Sequence, residues 1–571
     1  MARINGGELL VRCLANEGVT KVFGIPGGQL TTIIDAVVRI GKQEKIEWVL
    51  TRHESACAFM ADAWNRVTGQ LAVCAATVGP GASNMVAGIE TAFSDNIPLL
   101  AITPQIHSNR SYPFKGSQQQ CNHMAMFAGI TKWNALVNRW DRIPELVSTA
   151  VTQAFSGKPG PVHLDIPVDV LFETGEEDSI TLPAPARRRG WGRPHGDPAL
   201  IEKAAEMLVK AERPLLHPGA GVFRSEAWEE LRELAEYLSL PVLPTPFARG
   251  VISEAHPLTL LPANRGGFFA ASNADVVLAV ACTFSELDGW GKPPMWGTPD
   301  VQKVIQVDIE PTQLALNREV DLGIVGDAKA VLSQLLEAVK RLTKKVEARK
   351  FTQDAQKVEK EVRDGIAAAL KDDSTPIHPL RLAKECSDFF GQDAILARDA
   401  GNAGLWAGEA VYGPRQFVWY GGSGHLGAGL PFALAAKMAH PDKPVWILHS
   451  DGSFMFSVTE LETAARLNLP VIDIVFNDRC FNMIKGAQDF AFDKRYCGVD
   501  FTDVRLDELA RSMGCFGKRI TRPSEIRPAL EEAVASGKPA LLDVIIDAKA
   551  NLMPPGLKEL CLLWLKDCEG C

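Results

Sequence analysis

No apolar stretch in this 571-residue chain is long enough to cross a bilayer, which excludes a helical membrane span. Positive charge is in short supply: 60 Lys and Arg face 69 Asp and Glu. The resulting net charge of -9, with no long basic run, argues against a nucleic-acid or anionic-membrane partner. A disulfide framework is also missing, because the twelve cysteines are scattered through a large chain, as expected of reduced thiols in a cytoplasmic protein. Cys568 and Cys571 form a lone C-x-x-C with Cys561 nearby, two ligands short of a structural zinc site. The first residues, MARINGGELLVRCLANEGV, carry helical periodicity and charge and do not resemble a secretory signal.

What the chain does have is a hydrophobic fraction of 46%, ample for about three to four domains. Its most informative stretch runs from Trp446 to Cys480. Val445 to His449 and Val471 to Phe476 read as strands, and Phe454 to Leu467 has helical spacing. A right-handed parallel crossover returns the second strand beside the first, so Asp451 and Asp478, with 26 residues between them, are expected as neighbours on one sheet edge. Gly452 and Ser453 open the helix, where free amides favour a phosphate. Two carboxylates and a backbone carbonyl suit a hard cation such as Mg2+.

Residues 1–175 alternate strand runs (KVFGI, EWVL, LAVCAAT, PLLAIT, VHLDIP) with helical patterns. A Pro/Arg-rich stretch at 176–197 reads as a linker. A second α/β unit spans 198–340, with strands at RPLLHPG, LPVLPT, DVVLAVA and KVIQVDI. The charged segment 341–375 reads as a solvated helix joining domains, 376–548 as a third α/β unit, and 549–571 as a tail with a short amphipathic helix.

The clamp resembles the thiamin diphosphate motif, GDG followed by about 25 to 27 residues and N-N or N-D, here Ser450-Asp451-Gly452 and Asn477-Asp478. Ser450 departs from the usual Gly and implies a small backbone adjustment. With the three-domain order, the chain resembles the acetolactate synthase and benzaldehyde lyase group over almost its whole length. That resemblance implies three consecutive doubly wound α/β domains: pyrimidine-binding, central and diphosphate-binding. It implies thiamin diphosphate and Mg2+ as cofactors, with Asp451, Asp478 and the carbonyl of Cys480 as metal ligands. It also implies a homodimer or homotetramer whose active sites lie between subunits.

Further residues follow from the same resemblance. Arg52-His53-Glu54 matches the family's RHE, so Glu54 would share a proton with the cofactor's pyrimidine nitrogen, helped by burial of its carboxyl group. TVGPGASN resembles GPGATN and brings Asn84 near the cofactor, while FGIPGGQ resembles FGYPGG and brings Pro26 and Gly27 there. Gln29 stands where benzaldehyde lyase has a histidine, which removes a possible acid-base group. The family's active-site glutamine falls in Gln118 to Gln120: counting back from Ile130-Thr131-Lys132 to benzaldehyde lyase selects Gln118, whereas the acetolactate synthases favour Gln119. Gly401, Asn402 and Ala403 resemble a diphosphate-holding loop. Gly424-His425-Leu426-Gly427 resembles G-T-M-G, with Leu426 as the wedge between cofactor rings and His425 beside the substrate.

Two departures bear on substrate. Ala487 occupies the position of a Trp that contacts the acceptor in the biosynthetic acetolactate synthases, which implies a roomier pocket. Thr283 replaces an Arg near flavin and substrate, which weakens the case for FAD. The expected activity is a decarboxylating carboligase that joins an acyl unit from a pyruvate-like 2-oxo acid to an aldehyde or ketone. Acyloin cleavage, simple decarboxylation and a catalytically silent regulatory protein on the same fold are the alternatives.

Overall fold

The computed structural model describes residues 3–565 except 112, 114, 189–191, 263, 412–415, 420 and 421. The first domain opens with β1 (Arg3–Asn5) and continues through β2 (Lys21–Gly24), β3 (Glu47–Leu50), β4 (Val73–Ala75), β5 (Leu100–Gln105), β6 (Trp133–Leu136), β7 (Val162–Pro167) and β8 (Thr174–Glu176). Six of these form a parallel sheet in the order β3-β2-β4-β5-β7-β6, while β1 and β8 pair antiparallel as a separate ribbon. The central domain has a four-stranded parallel sheet of β9 (Pro214–Pro218), β10 (Val276–Val280), β11 (Lys303–Asp308) and β12 (Leu322–Val325). The third contains β13 (Ile395–Arg398), β14 (Gln416–Trp419), β15 (Val445–Ser450), β16 (Ile472–Asn477), β17 (Phe516–Ile520) and β18 (Ala540–Ile545), ordered β14-β13-β15-β16-β18-β17. Counted within each sheet, both six-stranded sheets follow 2-1-3-4-6-5. The strand order reverses direction beside the first strand of each, the place where open α/β sheets bind ligands.

Several local expectations need correcting. LPVLPT is no strand: Val242 alone makes isolated bridges to Leu216 and Thr259, because Pro241 and Pro244 lack the amides a ladder requires. The continuous helix expected over 454–467 is two short helices, Asp451–Phe454 and Glu460–Arg466, separated by turns. The charged helix Lys350–Gly365 is not solvated all round. Phe351, Thr352, Ala355 and Glu359 are buried, and Phe351 lies 6.2 Å from Phe269 on the helix Arg265–Asn273 of the central domain. The stretch at 176–197 is tied down as well, with Asn16 donating to the Pro183 carbonyl and Arg193 pairing with Asp327. Cys568 and Cys571 lie outside the described residues. Among the described residues no helix is long and apolar enough to cross a membrane.

The first and third domains share one core. It combines Phe23, Phe59, Met60 and Met85 with Leu430, Phe432, Ile447 and Phe454, all buried. Helix Glu54–Thr68 packs on helix Gly429–Ala439, and the Phe59 and Phe432 rings meet edge to face at 6.0 Å. Half-buried Arg66 lies 5.4 Å from the Phe432 ring centre and pairs with Asp62 and Asp95, so its charge is neutralised at the same seam. Phe432→Ala is expected to cost about 3–5 kcal/mol from cavity formation. Calorimetry should show the joint unfolding of the two domains shifted down or split; an unchanged transition would show that the shared core does not couple them.

Candidate active site

The clamp is built where β15 and β16 end side by side, with Ser450 opposite Phe476 in the parallel register. Asp451 and Asp478 follow those strands directly, and both are buried. Asp451 Oδ1 accepts from the Gly452 amide at 2.8 Å, and Oδ2 from the Arg479 amide at 2.7 Å across the crossover. Arg479 takes a left-handed φ of 61°, uncommon for a residue with a Cβ and typical of strained functional turns. Asp478 Oδ2 accepts from Asn482 at 2.6 Å and from Asn551 at 2.5 Å, and the buried Cys480 thiol lies 3.5 Å from Oδ1. Burial, followed by the neighbouring Asp478, pushes Asp451 up to about 8, and burial also raises Asp478. The amide oxygens of Asn402, Asn477 and Asn482 are buried without a hydrogen-bond partner. Two buried carboxyl groups held together, amid spare oxygen lone pairs, are a donor set that suits a hard divalent cation.

The loops that converge on this clamp are held from below. Asp399 accepts from the amides of Ala400, Gly427 and Gly429, which ties the loop bearing Gly401, Asn402 and Ala403 to the one bearing Gly424, His425 and Leu426. His449 bridges Asp399 at 2.9 Å and Asp473 at 2.8 Å, and all three side chains are fully buried. Burial alone would lower the His449 pKa, but Asp473 and Asp399 override it and push it up to about 10, so the ring is an imidazolium joining two carboxylates. Ser450 also joins these loops: its hydroxyl accepts from the Ala403 amide at 3.4 Å and occupies the space where a Cβ on Gly401 would fall. Gly401 (φ 120°) therefore has to be glycine. Asn551, from the segment expected to be a mere tail, accepts from Trp406, donates to Asp478 and receives the Asn402 amide on its carbonyl. Sequence reasoning missed His449, Asp473 and Asn551. The buried acid-base pattern of β15 and β16, His449 and Asp473 within otherwise apolar runs, was the available signal.

The corresponding edge of the first sheet gathers the remaining candidates. Asn84 Nδ2 donates to Glu54 Oε2 at 3.0 Å, and Glu54 Oε1 lies 3.4 Å from where a Cβ on Gly81 would stand. Glu54 is half-buried rather than enclosed within the single chain. Its helix begins against the third domain, where buried Glu460 accepts from the amides of Arg52 and His53 at 2.9 and 3.0 Å. Gly27 sits against Thr77 so closely that a Cβ would lie 2.4 Å from the Thr77 Cβ. Gln29 accepts from the Thr77 hydroxyl at 2.8 Å, and Pro26 is exposed. Gln120 is spent inside its own loop, bonded to Ser117 and Ser111. Gln118 is exposed, while Gln119 (φ 63°) lays its carbonyl against Gly79. His425 pairs with Glu90 of the first domain at 3.0 Å, and Ala487 is half-buried on helix Asn482–Ala491.

The Gly79 turn is fixed by an unforeseen network. Its amide donates to His123 Nε2 at 3.0 Å, and His123 Nδ1 donates to Asp165 at 2.9 Å. Thr103 donates to the same carboxylate and lies 2.7 Å from His163 Nε2.

Two topologically equivalent sheets, one carrying a carboxylate-amide pair and the other a buried acidic clamp under converging glycine loops, have the make-up of an enzyme site for a phosphorylated cofactor. Comparison with known proteins says which. Residues 4–126, 201–335 and 399–544 match, respectively, the N-terminal TPP binding domain, the central domain and the C-terminal TPP binding domain of the thiamine pyrophosphate enzymes. A probable acetolactate synthase large subunit of Methanococcus aeolicus is 33% identical over 97% of this chain and 94% of its own length. Acetolactate synthase isozyme 2 large subunit of Escherichia coli strain K12 is 31% identical over 97% and 98%. The chain belongs to the thiamin diphosphate-dependent enzymes, in the acetolactate synthase-like group, and is a carbon-carbon bond-forming enzyme of that kind.

Burial pushes His163 down to about 3 from an ordinary 6.5. A histidine kept neutral by the fold costs stability once the unfolded chain can protonate it. Stability is thus complete above pH 6.5 and falls by about 1.4 kcal/mol per pH unit toward pH 3 from this group. His163→Gln should flatten that part of the pH-stability curve measured by chemical denaturation; an unaltered slope would mean that His163 is protonated in the native state.

Proposed function

We propose that the chain is a Mg2+- and thiamin diphosphate-dependent decarboxylating carboligase, with a pyruvate-like 2-oxo acid as donor and an aldehyde or ketone as acceptor. The observation that carries this reading is the convergence of buried Asp451 and Asp478 among unpartnered amide oxygens. Asp451, Asp478 and the Cys480 carbonyl would hold the cation, and Gly401, Asn402, Ala403, Gly452 and Ser453 the diphosphate. When bound, the cofactor supplies the electron sink for decarboxylation and carbon-carbon bond formation. Glu54, oriented by Asn84, holds and returns a proton at the pyrimidine nitrogen. Leu426, half-buried beside Gly427, would be the wedge between the cofactor rings, and Pro26, Gly27 and Gly424 would shape the cofactor's bed. His425, held by Glu90, positions the loop of that wedge.

For the acceptor, the small Ala487 leaves room, a glutamine of the 118–119 pair offers an amide to a carbonyl oxygen, and Gln29, engaged by Thr77, contributes no titrating group. A cleft of about 1530 Å3 along the central domain includes Thr283, which brings no cation to a flavin or to an acceptor carboxylate. Self-association completes the site in this reading, with Glu54 of one chain meeting the clamp of its partner. Half-exposed Glu54 and the apolar rim around the clamp, Met455 at 45%, Phe456 at 61% and Ile484 at 48% exposure, support it.

Holoenzyme supplied with pyruvate and an aldehyde should release CO2 and form an acyloin; cleavage of acyloins without CO2 from pyruvate would overturn the carboligase direction. Glu54→Gln should lower kcat by about 10²–10⁴ with little change in donor KM, and an undiminished kcat would remove Glu54 from the chemistry. Mixing inactive Glu54→Gln and Asp478→Asn chains under subunit-exchange conditions should restore part of the activity, since each mixed dimer regains one intact site. No recovery despite demonstrated exchange would place both residues of a site in one chain.

A further inference from the structure

We propose that His217, Cys282 and Asp288 form a second metal site, of zinc type, in the central domain, separate from the cation clamp and independent of the carboligase reading. His217 lies near the carboxyl end of β9 and Cys282 just past that of the neighbouring β10, where His217 is in register with Ala279. Asp288 returns from the turn Glu286–Gly291, which Ser285 caps. The ligating nitrogen, sulfur and oxygen atoms lie within 4.8 Å of one another, and all three residues are at most 3% exposed.

The hydrogen bonding around the cluster leaves the His217 nitrogen that faces it unsatisfied, while the Cys282 sulfur accepts from the Phe284 amide at 3.4 Å. His217 Nδ1 lies 2.6 Å from the Leu243 carbonyl, which can only accept, so this nitrogen carries the proton. With the proton on Nδ1, Nε2 presents its lone pair to the cluster. Nε2 has no hydrogen-bond partner, and its nearest acidic oxygen, Asp288 Oδ1, is 3.8 Å away, too far for a hydrogen bond. The Ser285 amide and hydroxyl both bind the other oxygen, Oδ2, at 3.2 and 3.1 Å. A buried imidazole lone pair with no donor is costly, and an ion bridging the three groups removes that cost.

The donor chemistry selects the ion. Imidazole nitrogen, sulfur and carboxylate oxygen form an N, S, O donor mixture that suits zinc better than Mg2+, and binding the cation would release the thiol proton. Supporting contacts are of the kind that tune metal ligands: the Leu243 carbonyl fixes the ring, and Trp296 Nε1 donates to the Asp288 carbonyl at 2.7 Å. Phe284 stacks on His217 at 5.4 Å and Trp296 meets it edge-on at 4.8 Å, which forms an apolar shell. The backbone is strained here as well, with left-handed Ala281, Phe284 and Trp290. Cys282 and Asp288 also line the large interdomain cleft, which gives the ion an entry path and leaves its fourth position open to water or to a ligand in the cleft.

The test uses Mg2+- and thiamin diphosphate-saturated enzyme carrying Cys568→Ser and Cys571→Ser, so that terminal thiols cannot contribute. After incubation with Zn2+ and desalting, elemental analysis should find one zinc per chain, and Co2+ should give a thiolate-to-cobalt charge-transfer band. Both signals should vanish in Cys282→Ala and in the isosteric Asp288→Asn, each checked for native circular dichroism; either variant suffices if the other fails to fold. No retained zinc and no cobalt band, or signals that persist in the folded variants, would overturn the assignment.

Discussion

The structure turns on two carboxylates that would repel each other and that burial keeps from water. Asp451 and Asp478 share the edge of one sheet because amide donors surround them and burial favours the neutral carboxyl form. The third domain supplies the donors from every side: Gly452 and Arg479 on Asp451, Asn482 and Asn551 on Asp478. Under them lies a second electrostatic unit of opposite design, in which the His449 cation satisfies Asp399 and Asp473 and pins two glycine loops to the strands. One unit is complete as it stands, and the other is completed by a ligand.

Repetition of the same six-stranded order in two domains gives the chain two equivalent ligand-binding edges. The third domain fills its edge with acidic groups, the first with Glu54, Asn84 and glycine turns. Their shared core, with Phe59 against Phe432 and Glu460 capping the amides before Glu54, makes each edge's geometry depend on the other domain. The central domain adds its own cluster at an equivalent strand end, of softer donors in an aromatic shell.

Much of this was legible in sequence because it is local. Strand runs such as VHLDIP and VWILH, the clamp spacing and the glycine turns are set by periodicity and by backbone freedom over a few residues. Elsewhere local reasoning misled. Prolines undid LPVLPT, the 454–467 helix broke, and the charged helix Lys350–Gly365 turned a hidden apolar face to the central domain. These outcomes depend on neighbours that no short window contains.

The sequence by itself determined the strand-helix alternation, the three-domain order and the pairing of Asp451 with Asp478, since chain connectivity and the handedness of a parallel crossover leave that pair few places to go. Tertiary structure alone decided which groups surround the pair. Asn551 reaches Asp478 from 73 residues away, Glu460 reaches the Arg52 amide from 408, and His217 finds Asp288 only because two strand ends and a turn converge. Burial and distance fix the charge states of such groups, and neither exists before the chain has folded.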